Sequence, residues 1–309
     1  MFNTVLRSST ALLLCSVLSS PALAWNDGGH MMVAKIAYDK ISTENPMAKI
    51  EIDRLLALQI APARSTDNSS DFVSAAHWAD DIKHAPGFTQ TADEHFIDYP
   101  YSNDGTPLPT RLPKSVNIVT ALTKYVGILQ SPFSSDSDKA TALRFVIHLV
   151  GDIHQPLHCV SRVSASYPHG DLGGNKVLIG QPLNELPSEI TLHSFWDGGL
   201  GSFPHKAGHV APPLYQVTQA AAAISAKFTA DAQWKNGGPY DYSGWSRESQ
   251  QIATSFVYQG LVDGQVPGKN YVTQGTLIAQ QQLVKAGYRL ALLLEAIWPK
   301  NIRRWVEKP

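Results

Sequence analysis

Residues 148–158 read His148-Leu-Val-Gly-Asp152-Ile-His154-Gln-Pro156-Leu-His158. Apolar residues before this segment recur at three- and four-residue spacing, which predicts that His148 and Asp152 lie at the end of a helix. At a spacing of four, their side chains share one helix face and can bind one metal ion. Pro156 disfavours a straight continuation, so the chain turns and His158 can approach from another direction. The alternative is a capped helix end with surface histidines.

The same apolar spacing continues through most of the chain and predicts a mainly helical protein. The predicted helices are Met31–Ile41, Met47–Leu58, Val116–Leu129, Asp138–Val150, Val217–Phe228, Ser246–Tyr258 and Gly275–Ile297. Strand signals are limited to Phe96–Tyr99 and to a hairpin of Asn175–Ile179 with Glu189–Leu192. Segments 100–114, 163–174 and 201–213 are rich in Pro and Gly and are predicted loops. The predicted fold class is all-α, a single helical domain with a small β-hairpin.

The first 24 residues have the pattern of a secretory signal peptide, with Arg7, an apolar run and the ending Ala22-Leu-Ala24. A membrane anchor is the alternative, but the apolar run is shorter than the roughly 20 residues that a spanning helix needs. We expect cleavage after Ala24, so that residues 1–24 are the signal peptide and residues 25–309 the functional domain. The mature protein is then secreted or periplasmic, without a membrane anchor.

Charge and cysteine content restrict how the mature chain is stabilised and what it binds. Cys15 leaves with the signal peptide, so Cys159 remains alone and no internal disulfide can form. A bound metal is a candidate for stabilising such an exported chain. The formal net charge of −1 excludes binding of a polyanion through bulk positive charge. Attraction for a polyanion must be local, and bound metal ions could supply it.

Other segments carry side chains that could join a metal site. His193 and Asp197 repeat the four-residue spacing, and Asp80 and His95 lie near apolar residues. Mixed imidazole and carboxylate ligands suit zinc better than calcium, which prefers oxygen ligands. The alternatives are a chance His/Asp pair on an exposed helix and a helix cap at Asp80.

The segment Trp25-Asn-Asp-Gly-Gly-His30 would begin the mature chain. A free α-amino group has a pKa of about 7.7 to 8.0, so near neutral pH it can bind a metal while the Trp25 carbonyl closes a chelate ring. The two glycines would let the chain fold back so that His30 can join. A flexible N-terminus is the ordinary alternative.

Taken in order, these segments resemble the zinc nuclease family of fungi, plants and bacteria that degrades single-stranded DNA and RNA, the nuclease S1 and P1 type. The matching segments are Trp25 to His30, Trp78-Ala-Asp80, His95-Phe-Ile-Asp98, Gly151-Asp-Ile-His-Gln-Pro-Leu-His158 and His193 to Asp197, with weaker matches in Trp245-Ser-Arg-Glu-Ser249 and Ala286-Gly-Tyr-Arg289. The resemblance implies a monomeric endonuclease that leaves 5′-phosphate products and also hydrolyses 3′-mononucleotides. The disulfides of fungal and plant members are absent here.

The resemblance also implies three zinc ions, with one aspartate bridging two of them. The implied ligand sets are Asp80, His95, His148 and Asp152; His158, His193 and Asp197; and the Trp25 amine and carbonyl with His30 and the other oxygen of Asp152. Six histidines have no ligand role in this pattern, namely His77, His84, His154, His169, His205 and His209. His154 lies inside the motif and is a candidate for supporting a ligand.

Substrate contacts are implied in the same way. Lys83 would contact phosphate as a point charge, without the bidentate fork of arginine. Phe96 would stack on a base and Asp98 would hydrogen-bond the edge of that base, and stacking tolerates every base. Asn175, in Gly-Gly-Asn, would contact phosphate or base. The alternative for Phe96 and Asp98 is strand packing and a turn.

In the implied mechanism a zinc-bridging hydroxide attacks phosphorus, because zinc lowers the pKa of water from 15.7 to about 7. The catalytic candidates are Asp80 and Asp152, which would hold the ions, and Lys83, which would neutralise developing charge. Expected substrates are single-stranded DNA, RNA and 3′-mononucleotides. A duplex should react poorly, because its stacked bases cannot enter the pocket.

Two other functions remain open from the sequence. A zinc-dependent phospholipase C resembles the same family in fold and metal cluster, but it has glutamate in place of Asp197 and lacks the segment His95-Phe-Ile-Asp98. A zinc-stabilised binding protein without catalysis is the third hypothesis. Its metal ligand shells would be saturated, whereas an enzyme keeps open positions for water.

Overall fold

The computed structural model describes residues 25–60, 70–110, 113–180, 189–206, 210–228, 234 and 237–300. The predicted signal peptide and His209 lie outside these ranges. Within them, no helix is both long enough and apolar enough to cross a membrane.

Most of the described chain is helical, and the predicted all-α fold class is confirmed. The α-helices are α1 Asp27–Glu44, α2 Pro46–Leu56, α3 Trp78–Ile82, α4 Ile118–Gln130, α5 Asp136–Asp152, α6 Leu192–Asp197, α7 Leu214–Ser225, α8 Tyr242–Ile252 and α9 Lys269–Ile297. A π-helical turn, Ala253–Val257, extends α8. Short 3-10 helices occupy Ser74–His77, Thr89–His95 and Pro156–Cys159. The seven predicted helices are all present; α3 and α6 were not among them, because five or six residues are too few to show a helical period.

Four short strands form two separate pairs. Strands β1 Pro100–Tyr101 and β2 Ser161–Arg162 are parallel. Strands β3 Leu178–Gly180 and β4 Glu189–Thr191 are antiparallel, which confirms the predicted hairpin.

The predicted strand at Phe96–Tyr99 was wrong in its position. Phe96 is extended, and Ile97 N donates to His158 O at 2.8 Å, but this stretch forms no ladder. The reason is that His158 lies in a 3-10 turn, so the partner chain becomes extended only from Val160 onward. The ladder therefore starts later, at β1, inside a stretch that we had predicted to be a loop.

Helix α5 is the element that positions the site. Its N-terminal cap is Ser135, whose side chain accepts from Asp138 N, and the acidic side chains of Asp136 and Asp138 complement the helix dipole. From Leu143 to Asp152 every residue of the helix is buried. The helix packs against α1, α2, α4 and α9 and so runs through the core.

The buried C-terminal end of α5 needs hydrogen-bond partners for its carbonyl groups, because water cannot reach them. The carbonyl of Val150 accepts from His154 Nδ1 at 2.8 Å, and that of Gly151 accepts from Trp25 Nε1 at 2.9 Å. The carbonyl of Ile153, just beyond the helix, accepts from the Ser249 hydroxyl at 2.6 Å. Side chains from segments far apart in the sequence thus hold the end of α5 in place.

Candidate metal centre

His148 and Asp152 project from the last turn of α5 and are fully buried. His148 Nδ1 lies 2.7 Å from the carbonyl oxygen of Ala76. Because a carbonyl can only accept, Nδ1 carries a proton, and in the neutral ring the lone pair is on Nε2. That nitrogen lies 3.1 Å from Asp152 Oδ2, so both side chains point at the same place.

The two oxygens of Asp152 face different groups of side chains. Oδ2 lies 3.0 Å from His95 Nδ1 and 3.1 Å from His148 Nε2, whereas Oδ1 lies 3.3 Å from His30 Nε2. Asp80 Oδ1 completes the first group, at 3.5 Å from His95 Nδ1. This arrangement allows Asp152 to bridge two metal ions.

A further group lies where the turn after α5 meets α6. His158 Nδ1 lies 2.7 Å from His95 O, and His193 Nδ1 lies 2.7 Å from Gly173 O. Both Nδ1 atoms therefore carry protons, and the two unprotonated Nε2 atoms face each other at 3.1 Å. Asp197 Oδ2 lies 3.6 Å from His193 Nε2. Facing lone pairs repel, so this arrangement suits a cation between the rings.

Possible ligand atoms lie within 4.8 Å of one another in three groups: His30, His148 and Asp152; Asp80, His95 and His148; and His158, His193 and Asp197. Each of these side chains is buried. Burial lowers the pKa of His30 to about 4, and the nearby His148 adds to this effect. Burial also lowers the pKa of His193 to about 3, with His158 as the next cause. Neutral imidazoles of this kind can give a lone pair to a metal.

Unpaired polar atoms give a separate test of whether a metal fits. Among the described residues, both ring nitrogens of His30, Nε2 of His95 and Oδ1 of Asp152 are buried without a hydrogen-bond partner. Leaving such groups unsatisfied costs roughly 1–3 kcal/mol each. A cation between His30 Nε2 and Asp152 Oδ1 would satisfy both atoms, so the residues present fit a metal centre.

Trp25 is fully buried beside this centre. Its indole donates to the carbonyl of Gly151, and the next residue, Asn26, donates its N–H to the carbonyl of Asp197 at 2.9 Å. A Cβ added at Gly151 would lie 2.8 Å from His30 Nδ1, which shows how closely these segments pack. The structure thus brings Trp25 next to His30 and the end of α5. Its amine as a metal ligand stays a prediction.

The substrate-binding candidates lie in segments that also carry, or hold, candidate metal ligands. Lys83 is buried, and its Nζ donates to Asp80 Oδ1 at 2.8 Å, so its charge lies at the first group. Phe96 and Asp98 alternate with the buried Ile97 and Tyr99, and both are half-buried on the opposite face of this extended segment. Burial raises the pKa of Asp98 to about 6, opposed by Lys114.

Asn175 is half-buried in the loop that carries Gly173, whose carbonyl holds His193. Its Nδ2 donates to Leu172 O at 2.8 Å. The side-chain amide therefore stabilises its own loop, and its predicted contact with phosphate or base stays a prediction.

Comparison with known proteins agrees with this geometry. A family model described as S1/P1 Nuclease matches residues 25–299. The chain belongs to the S1/P1 nuclease family. The resemblance inferred from the sequence motifs is therefore confirmed, and the protein is a hydrolase acting on phosphodiester bonds.

Relatives in this family match along nearly their whole length. Endonuclease 3 of Arabidopsis thaliana is 25% identical over 309 aligned positions, covering 93% of this chain and 94% of the relative. Nuclease S1 of Aspergillus oryzae is 26% identical and covers 91% of this chain and 94% of the relative. Nuclease P1 of Penicillium citrinum is 25% identical and covers 91% of this chain and 100% of the relative.

His154 belongs to the S1/P1 motif but does not point into the centre. It donates from Nδ1 to Val150 O, and its Nε2 accepts from Arg289 Nη1 at 3.0 Å. Burial, and then the charge of Arg289, lower its pKa well below the usual value. Arg289 also forms an ion pair with Glu248 at 2.7 Å. Glu248 and Arg289 lie in the two segments with weaker family matches. Those segments therefore stabilise the core next to α5.

The sequence did not reveal the groups that hold the candidate metal ligands of this S1/P1 nuclease. The carbonyls of Ala76, His95 and Gly173 each fix one histidine ring, and Gln155 Nε2 donates to Asp197 Oδ1 at 2.6 Å. Gln155 lies inside the motif, which was the one available signal. The sequence spacing does not show that the Gln155 amide reaches the carboxylate of Asp197, which lies 42 positions away.

The other described histidines without a predicted ligand role lie outside the three groups. His77 is buried, and its Nδ1 lies 2.9 Å from Asp81 Oδ2. His84, His169 and His205 are exposed.

Proposed function

We propose that this S1/P1 nuclease is a zinc enzyme that hydrolyses single-stranded DNA and RNA to 5′-phosphate products and removes phosphate from 3′-mononucleotides. The observation that carries the proposal is the convergence of three groups of buried imidazole and carboxylate atoms, each within 4.8 Å. The names of the relatives, nuclease and endonuclease, support cleavage inside nucleic acid chains.

The donor atoms favour zinc among the common divalent ions. Five imidazole rings and three carboxylates contribute, and this mixture suits zinc better than magnesium or calcium. The proposed sets are Asp80, His95, His148 and Asp152; His158, His193 and Asp197; and Trp25, His30 and Asp152, for three ions in total. Bound there, zinc supplies a Lewis acid that polarises a phosphoryl group and lowers the pKa of water.

The protein's own groups position the substrate around this centre. The Lys83 ammonium, held by Asp80, places a positive charge where negative charge develops on a phosphate. Phe96, on the half-exposed face directly after His95, offers its ring for stacking on an unpaired base. Asp98 lies on the same face and can accept or donate a hydrogen bond at the base edge. A base inside a duplex cannot reach this face, which favours single strands.

We also propose that the protein is exported and cleaved after Ala24. The family match starts at Trp25, and that residue is fully buried with its indole bonded to Gly151 of α5. Cleavage would free the amine of Trp25 next to His30 and complete the third ligand set. Adding one residue before Trp25 in the mature protein should therefore greatly reduce activity and the bound zinc, whereas unchanged zinc content would contradict the use of the amine.

The deciding experiment offers one preparation of mature protein several substrates: single-stranded DNA, single-stranded RNA, duplex DNA, a 3′-mononucleotide and phosphatidylcholine. We expect the single strands and the mononucleotide to be hydrolysed in a zinc-dependent reaction, with 5′-phosphate ends on the polymer products. Cleavage of the lipid with intact nucleic acid would support the phospholipase alternative. Zinc binding without any hydrolysis would support a binding protein.

A further inference from the structure

Gln155 is a fully buried polar side chain directly after α5, at the start of the 3-10 turn Pro156–Cys159. Its Oε1 accepts from Leu157 N at 2.5 Å, and its Nε2 donates to Asp197 Oδ1 at 2.6 Å. Both bonds are short and shielded from water. Gln155 thus connects the turn that carries His158 to the carboxylate at the end of α6.

The orientation of this amide follows from its partners. A backbone N–H only donates, so the amide oxygen of Gln155 must face Leu157 and the NH2 group must face Asp197. The reverse orientation would place two oxygens 2.6 Å apart and two N–H groups against each other. The protein therefore presents a donor to Asp197 before any metal binds.

This donor distinguishes the two oxygens of Asp197. Oδ1 accepts from Gln155, whereas Oδ2 lies 3.6 Å from His193 Nε2, on the side of the metal group. Helix α6 has only six residues, and the Asp197 carbonyl is held by Asn26 N. The backbone is thus fixed, but the carboxylate could still rotate without Gln155.

We propose that Gln155 is a positioning residue that holds Asp197 as a ligand through Oδ2 and so sets the affinity of the group His158, His193 and Asp197 for its metal ion. The inference rests on the proposed function, because it requires that this group binds a metal. Mutation of a residue that hydrogen-bonds to a metal ligand typically lowers metal affinity 10–100-fold. Among the described residues, the side chain of Gln155 has no hydrogen bond to a side chain of the other two groups, and only its backbone N–H donates to the Asp152 carbonyl. The effect of changing the side chain should therefore be confined to one ion.

Two variants remove the donor in different ways. Gln155→Glu keeps the shape and the acceptor for Leu157 N but places an oxygen opposite Asp197. Gln155→Leu removes both bonds at similar volume. The matched control is Gln282→Leu: Gln282 is 2% exposed and donates to His154 O at 3.2 Å, without a bond to a ligand side chain.

The measurement is zinc bound per mature chain, by equilibrium dialysis across a series of free zinc concentrations. Circular dichroism checks the folding of each variant. We expect the parent and Gln282→Leu to bind three zinc ions with the same affinities. Both Gln155 variants should bind two zinc ions with parental affinity and the third zinc ion 10–100-fold more weakly. Three ions with parental affinity in Gln155→Glu, or equal weakening of all three, would overturn the inference. A parent that binds no zinc would instead overturn the proposed function on which it rests.

Discussion

The imidazole rings of His158 and His193 show how single residues prepare the metal centre. Their Nε2 atoms face each other at 3.1 Å because both Nδ1–H groups donate hydrogen bonds to backbone carbonyls. His148 is fixed in the same way by Ala76 O. The ring tautomers are therefore chosen by the fold, and the nitrogen that can bind metal is the one that points inward.

Two neighbouring aspartates provide a matched test of the ligand assignment. Asp80→Asn should reduce nuclease activity at least about 100-fold and lower the bound zinc, because a neutral amide is a poor metal ligand. Asp81 lies next in the chain but contacts His77 outside the three groups. Asp81→Asn should keep its zinc and most of its activity. Equal loss in both variants would mean that Asp80 acts through stability alone, and metal analysis with steady-state kinetics distinguishes the two results.

The role of Phe96 is tested against another phenylalanine on the surface. Phe96→Ala should raise KM for single-stranded DNA about tenfold or more, since a base stacked on an aromatic ring contributes roughly 1–3 kcal/mol. Zinc content should stay unchanged. Phe133, which is 96% exposed, provides the control, and Phe133→Ala should leave both quantities unaltered. Loss of zinc in Phe96→Ala would show that this ring supports the fold instead.

Asp98 should make stability depend on pH in a defined direction. Burial raises its folded pKa to about 6, above the ordinary value of 3.8, so the folded state holds the proton more tightly than the unfolded state. The titration of Asp98 therefore contributes a loss of stability on the order of 2 kcal/mol as pH rises from about 4 to 6.

The Asp98→Asn variant removes this titration. It should equal the parent in stability near pH 4 and exceed it above pH 6, because the parent then carries a buried charge. Urea unfolding of both proteins at each pH measures the difference, and the changes common to both, such as ligand protonation, cancel. A difference that does not change with pH would contradict the raised pKa.

The loop around Gly173 connects backbone conformation to the metal centre. Gly173 has φ +59°, and a Cβ there would lie 2.3 Å from Leu157 O. Its carbonyl holds His193, so this loop must approach the turn after α5 closely. Only glycine can meet both requirements.

Gly173→Ala should destabilise the protein by roughly 1–3 kcal/mol or more and weaken binding of one zinc ion. The control is Gly105→Ala: Gly105 has φ +80° but no atom within 4 Å of an added Cβ, so only the backbone conformation is penalised. Denaturant unfolding and zinc titration of both variants measure the effect. Equal results for the two would show that close packing at Gly173 has no influence on the centre.

Across the whole molecule, the proposed ions join distant parts of the chain, and no disulfide does so among the described residues. The groups draw on α1, α3, α5 and α6 and on the turns between them. The only cysteine outside the predicted signal peptide, Cys159, is buried and unpaired. Metal binding is therefore expected to stabilise the fold as well as to provide catalysis.

Removal of metal tests this expectation. A chelator should lower Tm of the mature protein by at least about 10 °C, since metal binding only to the folded state adds to its stability. Returning zinc should restore Tm and activity, whereas magnesium should not, because it prefers oxygen ligands. Thermal unfolding by circular dichroism gives the measurement. An unchanged Tm would mean that the buried groups are stable without an ion.

The seven longer helices, the hairpin and the residue types of the candidate metal centre could be predicted from the sequence alone. Helical spacing and four-residue His/Asp pairs are local properties of the chain. The short helices α3 and α6 and the position of β1 did not, since they depend on partner segments. Only the tertiary structure decided which atom of each ligand faces the centre. Those choices depend on contacts between distant residues, such as Ala76 with His148, 72 positions apart, and Gln155 with Asp197, and sequence spacing holds no record of such contacts.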